Sequence, residues 1–319
     1  MKNRFAIIPL IILVTVLWGC GGEDTRPDIS DGSAHVARTV NILAEAKSIE
    51  YTYIYEELYQ NDGKEFGTQT TAENIRIFEP YAYWVKNDTV NHDNNDEPYR
   101  SVVEIYQLVQ EGRYDFYFRS SDQETDLNAV PSLGEWDLDS TEDKEAVDML
   151  IRWDKDTREA QLYLLRANAD SFRFVEDAEA GGETVLKYSG SISPASAIEA
   201  YKVYLRDRYV EMGLLKELDN PSPEELKDEI VNGDVLEIKV GIPALAYSEE
   251  PVPISLWIDK DTFTLQKVEV DKAVVMGPLL EKQLAQAGLG NYSPVITKAL
   301  VTYVITGIDT AKKPPIPQI

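Results

Sequence analysis

The chain has 319 residues, 43% of them apolar, and its 56 acidic residues against 31 basic ones give a formal net charge of −25. A surface this negative repels phosphate backbones and anionic headgroups, which argues against nucleic-acid binding and against membrane contact through a basic patch. With one cysteine and two histidines, the chain cannot build a disulfide framework or a thiolate metal site.

At the start, Lys2 and Arg4 precede a nearly unbroken apolar run from Phe5 to Leu17, interrupted by Pro9. This is the layout of a secretory signal, and its ~13 residues fall short of the ~20 that a spanning helix needs. The run ends in Leu17, Trp18, Gly19 and Cys20, which resembles a bacterial lipobox: an aliphatic residue at −3, a small one at −1 and cysteine at +1. Trp18 is larger than the usual residue at −2. The resemblance implies that residues 1–19 are a lipoprotein signal peptide and that Cys20 becomes the lipidated first residue. Removing the signal takes Lys2 and Arg4 with it, so the charge becomes −27. Each buried methylene adds about 0.8 kcal/mol, so two or three acyl chains hold a protein on a membrane without crossing it. The expected location is the cell membrane, lipid-anchored and facing the extracytoplasmic side.

Residues 20–33 (CGGEDTRPDISDGS) are polar and read as a flexible tether. The spacing of Val36, Val40 and Leu43 predicts an amphipathic helix over 34–47. In SIEYTYIYEELYQ, Tyr51, Tyr53 and Tyr55 alternate with Thr52, Ile54 and Glu56, the period of a strand. NDG at 61–63 predicts a turn into a partner strand over 67–78. Further strands are predicted at 81–87, 99–110 and 114–120, with a polar loop at 87–98 and a tight EGR turn at 111–113. Short connections make this an antiparallel meander. Residues 122–143 read as an acidic loop and 141–150 as a short helix. Residues 152–167 either continue the sheet through a DKDT turn or are partly helical. A hairpin follows over 171–191 with its tip at 180–182.

Ser193 and Pro194 form an N-cap and first-turn pair for a helix whose apolar stripe is Ile198, Tyr201, Leu205, Tyr209 and Met212. Another short helix is predicted at 223–231, strands at 234–247, 253–259 and 264–276, a brief helix at 279–286, and a last strand at 296–309. The Pro-rich end KKPPIPQ cannot join a ladder easily, so residues 311–319 read as a tail. The two DKDT sequences, at 154–157 and 259–262, read as coincidence rather than an internal repeat.

No enzyme motif stands out. GxSxG, GxGxxG, the phosphate-loop motif and HExxH are all absent, and with 56 acids a chance carboxylate pair says nothing. His35 and His92 read as surface residues, and NHDNNDEP lacks the spacing and glycine of a calcium loop. No catalytic residue, metal site or cofactor is predicted, and the chain is expected not to be an enzyme. The salient feature is aromatic: Tyr51, Tyr53, Tyr55, Tyr81, Tyr83, Tyr114, Phe116 and Phe118 recur with period two on neighbouring strands. Either a helix fills that face as core, or the face is partly open and forms an apolar cleft lined also by Ile198, Tyr201, Leu205 and Tyr209.

The lipobox, the helix leading into Tyr-rich strands, the Ser-Pro-capped helix, the hairpin LWIDKDTFTLQKVEV and the last long strand together resemble lipoproteins of the LolA/LolB/LppX-like superfamily, nearest the uncharacterised Gram-positive group. The resemblance covers residues 34–310 as one domain. It implies an α+β fold, a strongly curved antiparallel half-barrel with helices on its concave face, which holds lipid chains and has no catalytic residues. The expected function is a membrane-anchored lipoprotein that binds lipid or acyl chains between sheet and helices. The competing expectation is a sensor or scaffold with a filled core that binds a partner protein.

Overall fold

The computed structural model describes residues 28–61, 64–92, 97–180, 183–211, 242–286 and 295–318. The signal peptide, Cys20, the turn at 62–63, the hairpin tip at 181–182, the helix over 223–231, the strand over 234–241 and Met212 lie outside them. Helix α1 spans Gly32–Glu45 and leads into β1 (Ser48–Asn61), β2 (Lys64–Phe78), β3 (Tyr81–His92), β4 (Tyr99–Gln110), β5 (Arg113–Ser120) and β6 (Asp137–Thr141). Helix α2 (Lys144–Ala167) and a single 3-10 turn precede β7 (Arg173–Ala180) and β8 (Glu183–Ile192). Then come α3 (Pro194–Glu211), α4 (Ile242–Tyr247), β9 (Val252–Asp259), β10 (Leu265–Asp271), α5 (Ala273–Gln286) and β11 (Val295–Ile308).

The fold is mixed helix and sheet, and the eleven strands among the described residues join one antiparallel sheet in the order β6-β5-β4-β3-β2-β1-β11-β10-β9-β8-β7. Two meanders, β1–β6 and β7–β11, place consecutive strands side by side, the second with helices between β8 and β9 and between β10 and β11, and the last strand pairs with the first along β1/β11. The edges β6 and β7 are consecutive in the chain and do not pair, so the sheet is open. Helix α2 connects them.

Register assigns each side chain a face, because directly opposed residues point the same way. One row crosses ten strands: Phe174, Tyr188, Leu256, Val268, Tyr303, Tyr53, Ala72, Asn87, Val103 and Ser120. This is the helix-covered face. Its β7–β11 half forms the main core with Val36 and Val40 of α1, Ala160 and Leu164 of α2, Tyr201 and Leu205 of α3, Leu245 of α4 and Leu279 of α5. A smaller cluster of Ala82, Tyr106, Leu108 and Tyr117 lies on the opposite face of β3–β5.

Several expectations are corrected. Residues 144–167 are one helix, so DKDT at 154–157 lies mid-helix and makes no turn, whereas DKDT at 259–262 does turn. The Asp259 carboxylate accepts from the amides of Asp261 and Thr262 and from the Thr262 hydroxyl. Burial alone would push the Asp259 pKa up, but the bonds from Thr262 and Asp261 outweigh it and hold the carboxyl below its usual value. Helix α2 starts at Asp143, whose Oδ1 accepts from the Glu145 amide at 2.9 Å, with Glu145 in the first turn and Arg166 in the last, both favourable to the helix dipole. Asp143→Ala should therefore cost about 1 kcal/mol, read as a lowered urea midpoint at unchanged slope.

Strand β3 continues through His92, so residues 87–92, expected as loop, pair with β2 and β4. Short strand β6 lies inside the stretch expected to be loop. Residues 242–247 are helix rather than strand, and 273–276 open α5 rather than extending β10, with Asp271 Oδ1 accepting from the Ala273 amide. A continuous apolar run such as IPALAY fits a buried helix and a buried strand equally well. The end of the expected tether also joins the body: Tyr188 donates to the Ile29 carbonyl at 3.1 Å and Ser33 to Asp170 at 2.7 Å. His35 is not a surface residue; it is 2% exposed, its ring 5.4 Å from Tyr188 and 5.2 Å from Phe263.

Candidate functional site

The eight strand aromatics singled out from the sequence all lie on the helix-covered face. Tyr51 is in row with Asn74, Val85, Ile105 and Phe118, and the next row is Arg76, Tyr83, Gln107 and Phe116. The third row is Phe78, Tyr81, Val109 and Tyr114. Tyr55 and Tyr114 are buried, while Tyr51, Tyr53, Tyr81, Tyr83, Phe116 and Phe118 are only half-buried. Tyr303, from the last strand, completes the field, its ring centroid 5.9 Å from Tyr51 and 5.2 Å from Tyr53.

The α3 residues are placed differently. Tyr55, Tyr201 and Leu205 belong to the main core cluster, and Tyr53 and Ile198 pack against it. Tyr51, Tyr81, Tyr83, Tyr114, Phe116 and Phe118 extend beyond it along β1–β5. Helix α3 packs chiefly on α2 and α4: Tyr201 stacks on Tyr204, Tyr204 meets Trp153 edge-on, and Arg206 pairs with Asp156 and Glu159. The side chain of Tyr209 lies outside the described residues.

Polar groups give the aromatic field direction. The Arg76 guanidinium sits 4.7 Å over the Tyr83 ring and 3.1 Å from Asp154 of α2. The Tyr83 hydroxyl donates to Asn74 Oδ1 at 3.1 Å, and that of Tyr81 to Gln107 Oε1 at 3.2 Å. The Tyr53 hydroxyl is buried with no hydrogen-bond partner among the described residues, and so is Arg76 Nε. Desolvation raises the phenols of Tyr53, Tyr81, Tyr83 and Tyr303 well above the ordinary tyrosine range. Burial likewise raises the Asp154 carboxyl, against the attraction of Arg76 and Arg158.

Half-buried rings beside buried polar atoms make this a partly covered aromatic surface. Such a surface can take up an apolar chain and meet a polar end with Arg76. Arg76 and Asn74 fall within the partner strand expected over 67–78, where nothing in the sequence sets them apart. Their role was hidden because the partners, Asp154 and Tyr83, lie 78 and 9 residues away. Among the described residues no group of three or more His, Cys, Asp or Glu is placed to hold a metal ion, and no helix is long and apolar enough to cross a membrane. Neither a protein-family model nor any curated protein matches the chain.

Proposed function

We propose that the chain binds a hydrophobic ligand, a lipid or lipoprotein acyl chain, against the helix-covered face and catalyses no reaction. In this reading it works from the extracytoplasmic side of the membrane, held there through lipidated Cys20. The observation that supports it is the aromatic field itself: six of the eight strand aromatics stay half-buried on the face that the helices cover. A filled core would bury them as it buries Tyr188 and Leu256, both fully inaccessible. Each methylene buried against that face contributes about 0.8 kcal/mol, with the acidic surface keeping the carrier off anionic headgroups.

The half-barrel expected from the LolA/LolB/LppX-like resemblance belongs to the same reading. An open sheet whose two edges are consecutive strands bridged by one long helix suits a sheet that curves around its helices. Mass spectrometry of protein recovered from its own membrane tests the reading by looking for acylated Cys20 and co-purifying lipid. In solution, Phe116→Asp should weaken binding of a fluorescent fatty acid at least tenfold while leaving the thermal midpoint nearly unchanged, because the position is only half-buried. Absence of both bound lipid and fatty-acid binding would leave the filled-core, partner-binding function in its place.

A further inference from the structure

The opposite face of β2–β5 holds a second site. Ile75, Trp84, Tyr106 and Tyr117 form one row there, flanked by Ile77, Ala82 and Leu108 and by Glu104 and Arg119. Trp136, from the loop before β6, stands edge-on to Tyr117 with Arg119 stacked 4.4 Å over its ring. Glu104 fixes the rim, accepting from Trp84 Nε1 at 2.7 Å and from Arg119 Nε at 2.8 Å.

The occupant of this groove is the chain's own segment Pro314–Pro317. The Tyr106 hydroxyl donates to the Pro314 carbonyl at 3.1 Å, although its ring is 1% exposed. A cavity of about 420 Å³ remains beside the segment, lined by Trp84, Tyr106, Trp136, Arg119 and the prolines. The segment itself is loosely seated: Pro315 and Gln318 are exposed, and Ile316 is 44% exposed. Aromatic walls with a donor aimed at a proline carbonyl are the means by which extended proline-rich segments are recognised, since they offer a preformed backbone without amide hydrogens.

We propose that this face is a docking groove for a proline-rich segment of a partner protein, with the chain's own PPIP sequence as its exchangeable resident. The tail then acts as an intramolecular competitor. A tethered ligand sits at an effective concentration on the millimolar scale, so a partner binds well only once the tail is released.

The test uses the full chain and a fluorescein-labelled peptide AKKPPIPQI. A release variant carries Pro314→Ser, Pro315→Ser and Pro317→Ser. By anisotropy, the release variant should bind the peptide at least tenfold more tightly than the native chain. Adding Tyr106→Phe to it should weaken binding at least threefold, and a peptide with its three prolines replaced by serine should not bind. Ile316→Asp, at an exposed position, serves if the triple variant does not fold by circular dichroism. Equal peptide affinity of the folded release variant and the native chain overturns the proposal. So does equal binding of the serine peptide, which would mark a merely sticky surface, or self-association of the release variant without peptide binding, which would make a second copy the occupant.

Discussion

Gly67→Ala is expected to destabilise the protein by at least ~4 kcal/mol, a large share of the ~5–15 kcal/mol that holds a typical domain folded. Gly67 lies in β2 opposite Leu58, beside the register shift between Leu58 and Tyr59, with φ at +141°. An added Cβ would lie 2.0 Å from the Glu57 carbonyl oxygen and 3.0 Å from the Leu58 Cα. Both are backbone atoms, so the strands have to part where β1 holds the sheet's two meanders together. Gly112→Ala is the control, because φ there is +79° but nothing lies within 4 Å of the new Cβ. It should cost only the left-handed penalty of about 1–2 kcal/mol. Urea unfolding of the two variants separates clash from strain, and equal losses would show that the close approach does not matter.

Strands were the most legible part of the sequence, and the reason is local. The alternation in β1, β4, β5 and β11 is regular, and their turns carry their own chemistry: Glu111 and Gly112 both adopt positive φ at the EGR turn. Helix α2 was hard to read because its polar residues face inward. Asp154 pairs with Arg76 of β2 and Asp156 with Arg206 of α3. Arg158 donates to the carbonyls of Leu43, Ala44 and Ala46, closing the end of α1. Such residues break the apolar period that a sequence reading depends on, although each is satisfied by a tertiary partner.

Period two within each strand predicts that several of the eight aromatics share a face; that all eight do follows from the register between neighbouring strands. Placing Ile198, Tyr201 and Leu205 relative to them did not follow, because a helix stripe shows only that something is covered, and α3 spends much of its own on α2 and α4. The tail groove was invisible for a related reason. YAYWV is apolar at consecutive positions, so its period does not separate the face of Tyr81 and Tyr83 from the face of Ala82 and Trp84, which has its own occupant.

Stability should rise with pH from 7 to about 10 and fall above it. Lys272 is 3% exposed, and burial pushes its ammonium down to about 7, against the attraction of Glu57. Glu57, 2% exposed, accepts hydrogen bonds from Tyr55 and Tyr59. Between pH 7 and the ordinary lysine value near 10.4, the unfolded chain keeps a proton that the native state has released. Raising the pH in that window therefore favours the native state, by at most about 1.4 kcal/mol per unit, or about 2 kcal/mol from pH 7 to 9. Below pH 7 both states are protonated and this group adds no further slope. The tyrosines act in the opposite sense above pH 10. Burial holds Tyr53, Tyr59, Tyr81, Tyr83 and Tyr303 protonated in the native state, so only the unfolded chain ionises there and stability is lost. Urea midpoints from pH 6 to 11 should trace this dome, and Lys272→Met should flatten its rising limb whatever its effect at pH 7, since Tyr55 and Tyr59 still serve the Glu57 carboxylate. A rising limb as steep in the variant as in the native chain would show that some other group releases the proton.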